Sequence, residues 1–333
     1  MANLLKGKMK ILFLCLFVLL TCTACSSPRA TDGKLKVDQI ISSEKVEIRK
    51  DLVNVTDIEN EDLKEEYAKY DDNDLITIEP MTFGEAFSSG WFTGLIVWPL
   101  AQLINIIASF TDAGWGIILT TILIQGVVFL FTKKSQMSSQ RMQEIQPEMQ
   151  RIQNKYAGKT DDHSRLMMAQ ETQKLYQKYD IHPFGTLLVT LIQLPIMMGV
   201  YYAMTRASSV VLGSFMGISL SQTPLYGFQH LEIAYIIIYV LMIICSLVSL
   251  KMPQILKKRQ DKIDHVKKKE YLDTKNNAMN SMNTTMYFST GLIAILYISW
   301  PIAMAFYWLV SSLTRMCFSV FLHSMIVKQK KAS

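Results

Sequence analysis

The chain has 333 residues, of which 50% are hydrophobic, with a net charge of +6 and a mean hydropathy of +0.20. Apolar residues gathered into several uncharged runs of about twenty exclude an ordinary soluble domain and indicate a membrane protein. The five cysteines lie in or beside apolar runs, and no nucleotide-binding or hydrolase motif is present, so we predict no enzyme, cofactor or metal site.

The N-terminus has the organisation of a secretory signal. Three lysines precede the apolar run 11–20, which is followed by the small residues "TCTACSS". Ala24 and Thr23 suit the two positions before a lipid-modified cysteine, whereas Cys22 stands where leucine is usual. We therefore predict a lipoprotein signal peptide over 1–24 and lipidation of Cys25, and the alternative is a short uncleaved anchor.

Residues 25–90 form the next predicted unit, an acidic extracytoplasmic segment. From Ser26 to Gly90 there are 16 Asp and Glu residues against eight Lys and Arg residues. Such a composition is typical of a solvated helix or of a disordered chain, and the sequence leaves both open.

Residues 91–112 read as an amphipathic helix that lies in the membrane interface. Trp91, Trp98 and Pro99 are typical of that location, and apolar residues recur toward Phe110. A true membrane span is the alternative.

Five transmembrane helices follow within 113–327, and they define an all-α polytopic membrane protein. The connections 133–182 and 251–285 carry nine Lys or Arg residues each, while 206–230 carries one. Positive connections face the cytoplasm, so we predict an extracytoplasmic N-terminus and a cytoplasmic C-terminus. The predicted spans are Trp115–Thr132, Phe184–Thr205, Ile233–Leu250, Tyr287–Trp300 and Ile302–Val327.

The cytoplasmic connection 133–182 is predicted to fold as a helical hairpin. Its first half repeats apolar residues at a 3-4 spacing that ends at Gly158, and Asp161 or Asp162 is the candidate N-cap of the second helix. The connection 251–285 is a basic cytoplasmic loop, and 328–333 is a short basic cytoplasmic tail.

Uncharged polar residues lie along one face of three predicted spans. Facing lipid, each unpaired amide would cost roughly several kcal/mol, so these faces should point inward. One interpretation is hydrogen bonding between neighbouring helices. The other is a hydrophilic groove within the membrane that holds the polar part of a passing chain. The candidate groove residues are Thr121, Gln125, Thr190, Gln193, Trp308, Ser312 and Arg315.

Three stretches, "MQEIQPEMQRIQNKY", "LIQLPIMMGVYYAM" and "SWPIAMAFYWLVSSL", resemble in order and spacing the YidC/Oxa-type membrane protein insertases. The lipoprotein signal is similar to that of the Gram-positive branch. The resemblance covers about Trp91 to Met325. It implies five transmembrane helices around a hydrophilic groove, with a cytoplasmic hairpin.

Position by position, the arginine in the groove of that family falls on Gln125, its second-span glutamine on Gln193 and its last-span aromatic on Trp308. The cation is thus missing from its usual place. We hypothesise that Arg315, seven residues after Trp308, returns a positive charge from another helix. The alternative is an arginine that extends to the cytoplasmic interface.

The resemblance implies a protein of the bacterial cell membrane that inserts and folds membrane proteins, alone or with the Sec translocon. The implied partners are nascent membrane proteins, membrane lipids, the Sec translocon and the translating ribosome, and no DNA. The alternatives are a specialised chaperone or scaffold that does not insert and, third, a transporter or channel.

Overall fold

The computed structural model describes residues 34–332, with gaps at 57, 59–60, 182, 266–290, 293 and 296. The predicted signal peptide and Cys25 lie outside the described residues. So do part of the predicted fourth span and the second half of the basic loop.

Helices dominate the described chain. They are α1 (Glu61–Tyr67), α2 (Phe83–Ser88), α3 (Trp98–Phe110), α4 (Ala113–Glu144), α5 (Gln146–Lys155), α6 (Asp162–Lys178), α7 (Pro183–Arg206), α8 (Ser208–Val211), α9 (Pro224–His230), α10 (Ile233–Ile263) and α11 (Ile302–Ala332). A π-helical turn, Thr93–Val97, leads into α3. Six short strands accompany them: β1 (Leu35–Lys36), β2 (Val46–Arg49), β3 (Val53–Asn54), β4 (Leu75–Ile78), β5 (Ser214–Phe215) and β6 (Ile218–Ser219).

Four helical stretches of the described chain are long and apolar enough to cross a bilayer: Thr93–Phe110, Ala113–Glu144, Ile233–Ile263 and Ile302–Gln329. Three of them contain predicted spans, and the predicted second span lies within the 24-residue helix α7. The chain is an all-α polytopic membrane protein, as predicted. By length and composition Thr93–Phe110 also suits a span, so its interfacial placement stays a prediction.

The chain divides into two compact units, each built from parts of the same long helices. The first unit contains the described residues up to 121, with 191–239 and 299–307. The second contains 122–190, 240–298 and 308–333.

In the first unit, the described residues of 34–79 fold around a hydrophobic core of their own, and we call them the N-terminal domain. Strand β2 pairs antiparallel with β4, and β1 pairs parallel with β3. Alternating side chains of β2 and β4 point inward, as a half-buried sheet requires. The core residues are Val37, Ile40, Ile48, Val53, Ile58, Tyr67, Ile76 and Ile78. The acidic composition concealed this core, which neither a solvated helix nor a disordered chain would provide.

The N-terminal domain is attached to the helices by backbone pairing at Ile41. The Ile41 N–H donates to the Arg206 carbonyl at 2.7 Å, and the Ser208 N–H donates to the Ile41 carbonyl at 2.9 Å. The buried Asn105 amide of α3 also donates to the Ile41 carbonyl, at 2.8 Å. The side-chain oxygen of Asn105 accepts from the Ser209 N–H at 3.1 Å and from the Ser209 hydroxyl at 2.7 Å. Asn105 therefore joins the domain to the segment that follows α7.

In the second unit, α5 and α6 form a helical hairpin within the connection that is predicted to be cytoplasmic. Its core contains Ile145, Leu175 and Ile181, with Met142, Met149, Ile152, Tyr176 and Tyr179 packed against them. Asp161 is confirmed as the N-cap of α6, because its carboxylate accepts from the Ser164 N–H at 2.8 Å.

The last turn of α4 connects the hairpin to two other helices. Arg141 donates to Gln329 of α11 at 2.9 Å and to the Tyr179 carbonyl at the end of α6 at 3.4 Å. The ammonium group of Lys257, on α10, donates to the Glu144 carbonyl. A cation at a helix C-terminus is favoured by the helix dipole, so this contact stabilises the end of α4.

Candidate functional site

Gln125, where the resemblance predicts an arginine, makes a hydrogen bond across to another helix. It lies on α4 and is 6% exposed. Its amide nitrogen donates to the hydroxyl of Ser311 on α11 at 2.8 Å. A buried amide needs such a partner where no water is available, so α4 and α11 are joined at this level by a polar contact.

Arg315 reaches the same serine from one turn further along α11. Its guanidinium donates to the Ser311 hydroxyl and to the Ser312 hydroxyl, both at 3.0 Å. It also lies 5.4 Å from the ring centroid of Trp308, within the range of a cation–π interaction. Gln125 and Arg315 are therefore two partners of one hydroxyl group.

The Arg315 side chain points away from the C-terminal end of α11. Its partners are three, four and seven residues earlier on α11, so the guanidinium points back toward the helix N-terminus. Arg315 also precedes Lys328 by about 20 Å of helix. A side chain directed at the C-terminal end of α11, which is predicted to face the cytoplasm, would point the other way along the helix.

A third helix contributes a serine that the sequence analysis missed. The Ser246 hydroxyl on α10 lies 3.2 Å from the Ser312 hydroxyl. A serine in an apolar helix commonly bonds to its own backbone, so its presence alone did not mark it as a site residue. We call Gln125, Ser246, Ser311, Ser312 and Arg315 the polar cluster.

An aromatic pair adjoins the polar cluster. The ring of Tyr297 lies 5.3 Å from that of Trp308, tilted by 35°. Trp308 thus contacts an aromatic ring and a guanidinium group, which restricts its orientation.

The remaining candidate residues are Thr121, Gln193 and Thr190. Thr121 is fully buried in the first unit, and its hydroxyl donates to the Ile117 carbonyl of its own helix at 2.6 Å. Gln193 is half-buried in the same unit, and its amide nitrogen has no protein partner among the described residues. Thr190 lies on α7, and its side chain is outside the described residues. The contacts therefore join Gln125, Trp308, Ser312 and Arg315.

The polar cluster offers hydrogen-bonding groups and one positive charge. It contains one cation, three hydroxyl groups and one amide. Within the part of the chain that the structure describes, no group of three or more His, Cys, Asp or Glu residues is placed to hold a metal ion. The cluster can bind a carboxylate, a carbonyl group or water.

A sequence model of the family described as "60Kd inner membrane protein" matches residues 105–330, more than half of the chain. The chain belongs to the 60Kd inner membrane protein family. The match contains every residue of the polar cluster, whereas the N-terminal domain lies outside it.

Named relatives agree with this assignment. The membrane protein insertase YidC 1 of Streptococcus pyogenes serotype M1 is 40% identical over 135 residues, which are 40% of this chain and 48% of that protein. The membrane protein insertase MisCA of Bacillus subtilis is 29% identical over 237 residues, 71% of this chain and 79% of that protein. The YidC insertase of Oceanobacillus iheyensis is 27% identical over 235 residues, 68% and 81% of the two chains.

The aligned part of the chain spans about half the length of the streptococcal relatives. The predicted membership of the YidC/Oxa-type family is confirmed, and the protein is a multi-pass protein of the cell membrane.

Proposed function

We propose that this protein is a membrane protein insertase and foldase, which binds hydrophobic segments of nascent membrane proteins and passes them into the bilayer. The observation that carries the proposal is the polar cluster within helices that are otherwise apolar. Three helices contribute hydrogen-bonding groups to it. Polar side chains are costly inside a membrane, and their usual role there is functional.

In the proposed mechanism the polar cluster receives the hydrophilic part of a client chain, and an apolar helix surface receives its hydrophobic segment. Along α4, Ile122, Leu123, Val127 and Leu130 are exposed. A client helix that packs on this surface keeps its apolar side chains away from water. Its polar residues exchange hydrogen bonds with water for hydrogen bonds with the cluster, which lowers the barrier to crossing. No covalent chemistry and no nucleotide are required.

We further propose that Arg315 supplies the positive charge that the family places at the position of Gln125. The shared hydroxyl group of Ser311 supports this assignment, because it puts the guanidinium next to the Gln125 amide. Arg315 is the only Lys, Arg, Asp or Glu residue in the stretch 302–327. A carboxylate in a client chain is the natural partner of such a cation.

The proposed topology has an extracytoplasmic N-terminus anchored by lipid at Cys25 and a cytoplasmic C-terminus. The distribution of lysine and arginine between the connections supports this orientation. The Sec translocon and the translating ribosome are the proposed protein partners besides the clients.

A specialised chaperone that does not insert its clients is the second candidate. The hydrogen bond between Gln125 and Ser311 favours it, since it satisfies the amide inside the protein and leaves the residue 6% exposed. An insertase needs a cluster that can open to clients, whereas a scaffold does not.

Depletion of the host's principal insertase, with this chain expressed in its place, separates the two functions. Rescue of growth is expected for an insertase, and failure of rescue at normal expression supports the chaperone. Photocrosslinkers placed at Gln125, Gln193 and Trp308 should capture nascent chains, and Phe110, 84% exposed in the first unit, is the control position. Ion flux through the purified protein in liposomes would instead indicate a channel.

A further inference from the structure

One face of α4 is polar over most of its second half, with a single interruption. The residues at successive steps of three or four are Gln125, Phe129, Thr132, Gln136, Gln140 and Gln143. Such a spacing places them on one side of the helix. Phe129 is thus an aromatic residue in the middle of a stripe of amides and hydroxyl groups.

Helix α11 has the same organisation at the same level. Its polar residues Ser311, Ser312 and Arg315 precede Phe318, and Ser319 follows it. The rings of Phe129 and Phe318 stack with their centroids 4.1 Å apart and an angle of 19° between their planes. The aromatic residue in the polar face of α4 therefore packs against the one in the polar face of α11.

In the stacked pair Phe129 is buried and Phe318 is half-buried, and a third ring packs at the edge. Phe129 is 8% exposed. The ring of Phe321 packs edge-on against the ring of Phe129, with 6.1 Å between the two centroids. The ammonium group of Lys133 lies 5.7 Å from the Phe321 centroid. These contacts fill the α4–α11 interface with aromatic rings one turn beyond Gln125.

Polar groups lie on both sides of the rings. Toward the N-termini of the two helices lies the polar cluster. Toward their C-termini, among the described residues, the Gln140 amide nitrogen, the Gln143 amide oxygen and the Ser319 hydroxyl are buried without a protein partner. Buried polar atoms of this kind normally bond to water, so hydration is expected on the C-terminal side.

We propose that Phe129 and Phe318 form a hydrophobic gate between the polar cluster and a hydrated, cytoplasm-facing layer of α4 and α11. Apolar rings at a constriction exclude water, and their separation lets water and a polar chain pass. The gate determines when the cluster is accessible. Its use by client proteins rests on the proposed function, whereas its control of water does not.

Thiol labelling tests the gate without a client. Cys245 and Cys317 are first replaced by alanine, and Ser311→Cys or Ser319→Cys is then introduced separately. The alanine background without an introduced cysteine is the blank. A charged, membrane-impermeant thiol reagent is added to inside-out vesicles. The thiol introduced by Ser319→Cys should react at least about tenfold faster than that introduced by Ser311→Cys.

Opening variants should remove this difference. Phe129→Ala and Phe318→Ala should each raise the labelling rate at position 311 by about tenfold, as expected for the loss of one aromatic pair. Phe129→Leu keeps an apolar side chain but cannot stack, so its effect should be smaller. Phe131→Ala is the matched control on α4, because Phe131 is 86% exposed, and it should leave the rate unchanged.

Equal labelling of the two positions in the unaltered gate would overturn the proposal, even if the alanine variants fail to fold. The proposal would also be overturned if Phe129→Ala and Phe318→Ala fold but leave the labelling rate at position 311 unchanged. The same holds if Phe131→Ala raises that rate as much as they do. Insertion is measured separately by growth rescue. Failed rescue with the expected labelling pattern would refute the insertase function and leave the gate intact.

Discussion

Substitution of Arg315 tests whether the cation of the polar cluster acts on client proteins. Arg315→Gln removes the charge but retains an amide that can donate to one of the two serines. The expected loss therefore concerns a client carboxylate rather than the packing of α11. Arg315→Lys keeps the charge and should retain most of the activity.

The magnitude follows from the energy of a charge-assisted contact. A guanidinium and a carboxylate about 4 Å apart attract each other by about 4 kcal/mol at an effective dielectric constant of 20. Desolvation opposes this attraction, and hydrogen bonds to charged groups contribute a net 1.5–3 kcal/mol or so. A value of about 2 kcal/mol corresponds to a roughly 30-fold change in the insertion equilibrium or rate.

The assay is a double-mutant cycle in proteoliposomes. A single-span client with one Asp in its translocated tail is compared with the same client carrying Asn, and insertion is measured by protease protection. Arg315→Gln should reduce insertion of the Asp client about 30-fold more than that of the Asn client. Lys328→Gln removes an exposed cation from the same helix and should affect neither client.

The cycle can refute the assignment directly. If Arg315→Gln leaves insertion of both clients intact while Gln125→Ala abolishes it, Arg315 does not replace the missing arginine. An equal loss for both clients would show that Arg315 only stabilises the protein.

Two further predictions concern stability. Asn105→Ala removes one donor to Ile41 and the acceptor used by Ser209, so the free energy of unfolding of the first unit should fall by about 2–4 kcal/mol. The N-terminal domain should then become sensitive to protease. The control is Gln102→Ala, which removes one hydrogen bond to Ser42 at 2.9 Å and should cost about 1 kcal/mol. In the hairpin, Lys155 and Tyr156 lower the pKa of Glu171. The resulting stabilisation is complete above the unfolded pKa of about 4.3 and is lost as pH falls through the lower folded value. The protection of α6 amides against hydrogen exchange, relative to the intrinsic exchange rate at each pH, should therefore fall in acid, and less so in Glu171→Gln.

The sequence predicted the long helices well because their apolar runs are uninterrupted. Four of the five predicted spans lie inside α4, α7, α10 and α11, each of which extends to or beyond the predicted ends. The other, Tyr287–Trp300, lies partly outside the described residues. The 3-4 spacing of apolar residues in 142–156 also identified the hairpin, since this pattern requires a partner helix.

The sequence alone did not fix contacts that depend on the rotation of one helix against another. That Gln125 and Arg315 share Ser311 follows from how α4 and α11 face each other, which no periodicity specifies. Ser246 was missed for the same reason.

The N-terminal domain was missed for a different reason. The alternation in "VEIR" and "LITI" is a strand pattern, but each stretch is only four residues long and lies among many charges. Only the pairing of β2 with β4 gives these two short stretches a common inner face.

The attachment of the N-terminal domain at Ile41 has an evolutionary consequence. The pairing with Arg206 and Ser208 uses the peptide N–H and C=O of Ile41, which every amino acid except proline provides. Mutation can therefore replace much of the domain's surface without changing the atoms that hold it in place. Related proteins can share this arrangement while their aligned letters diverge, so comparisons of shape should find such domains where comparisons of residues do not.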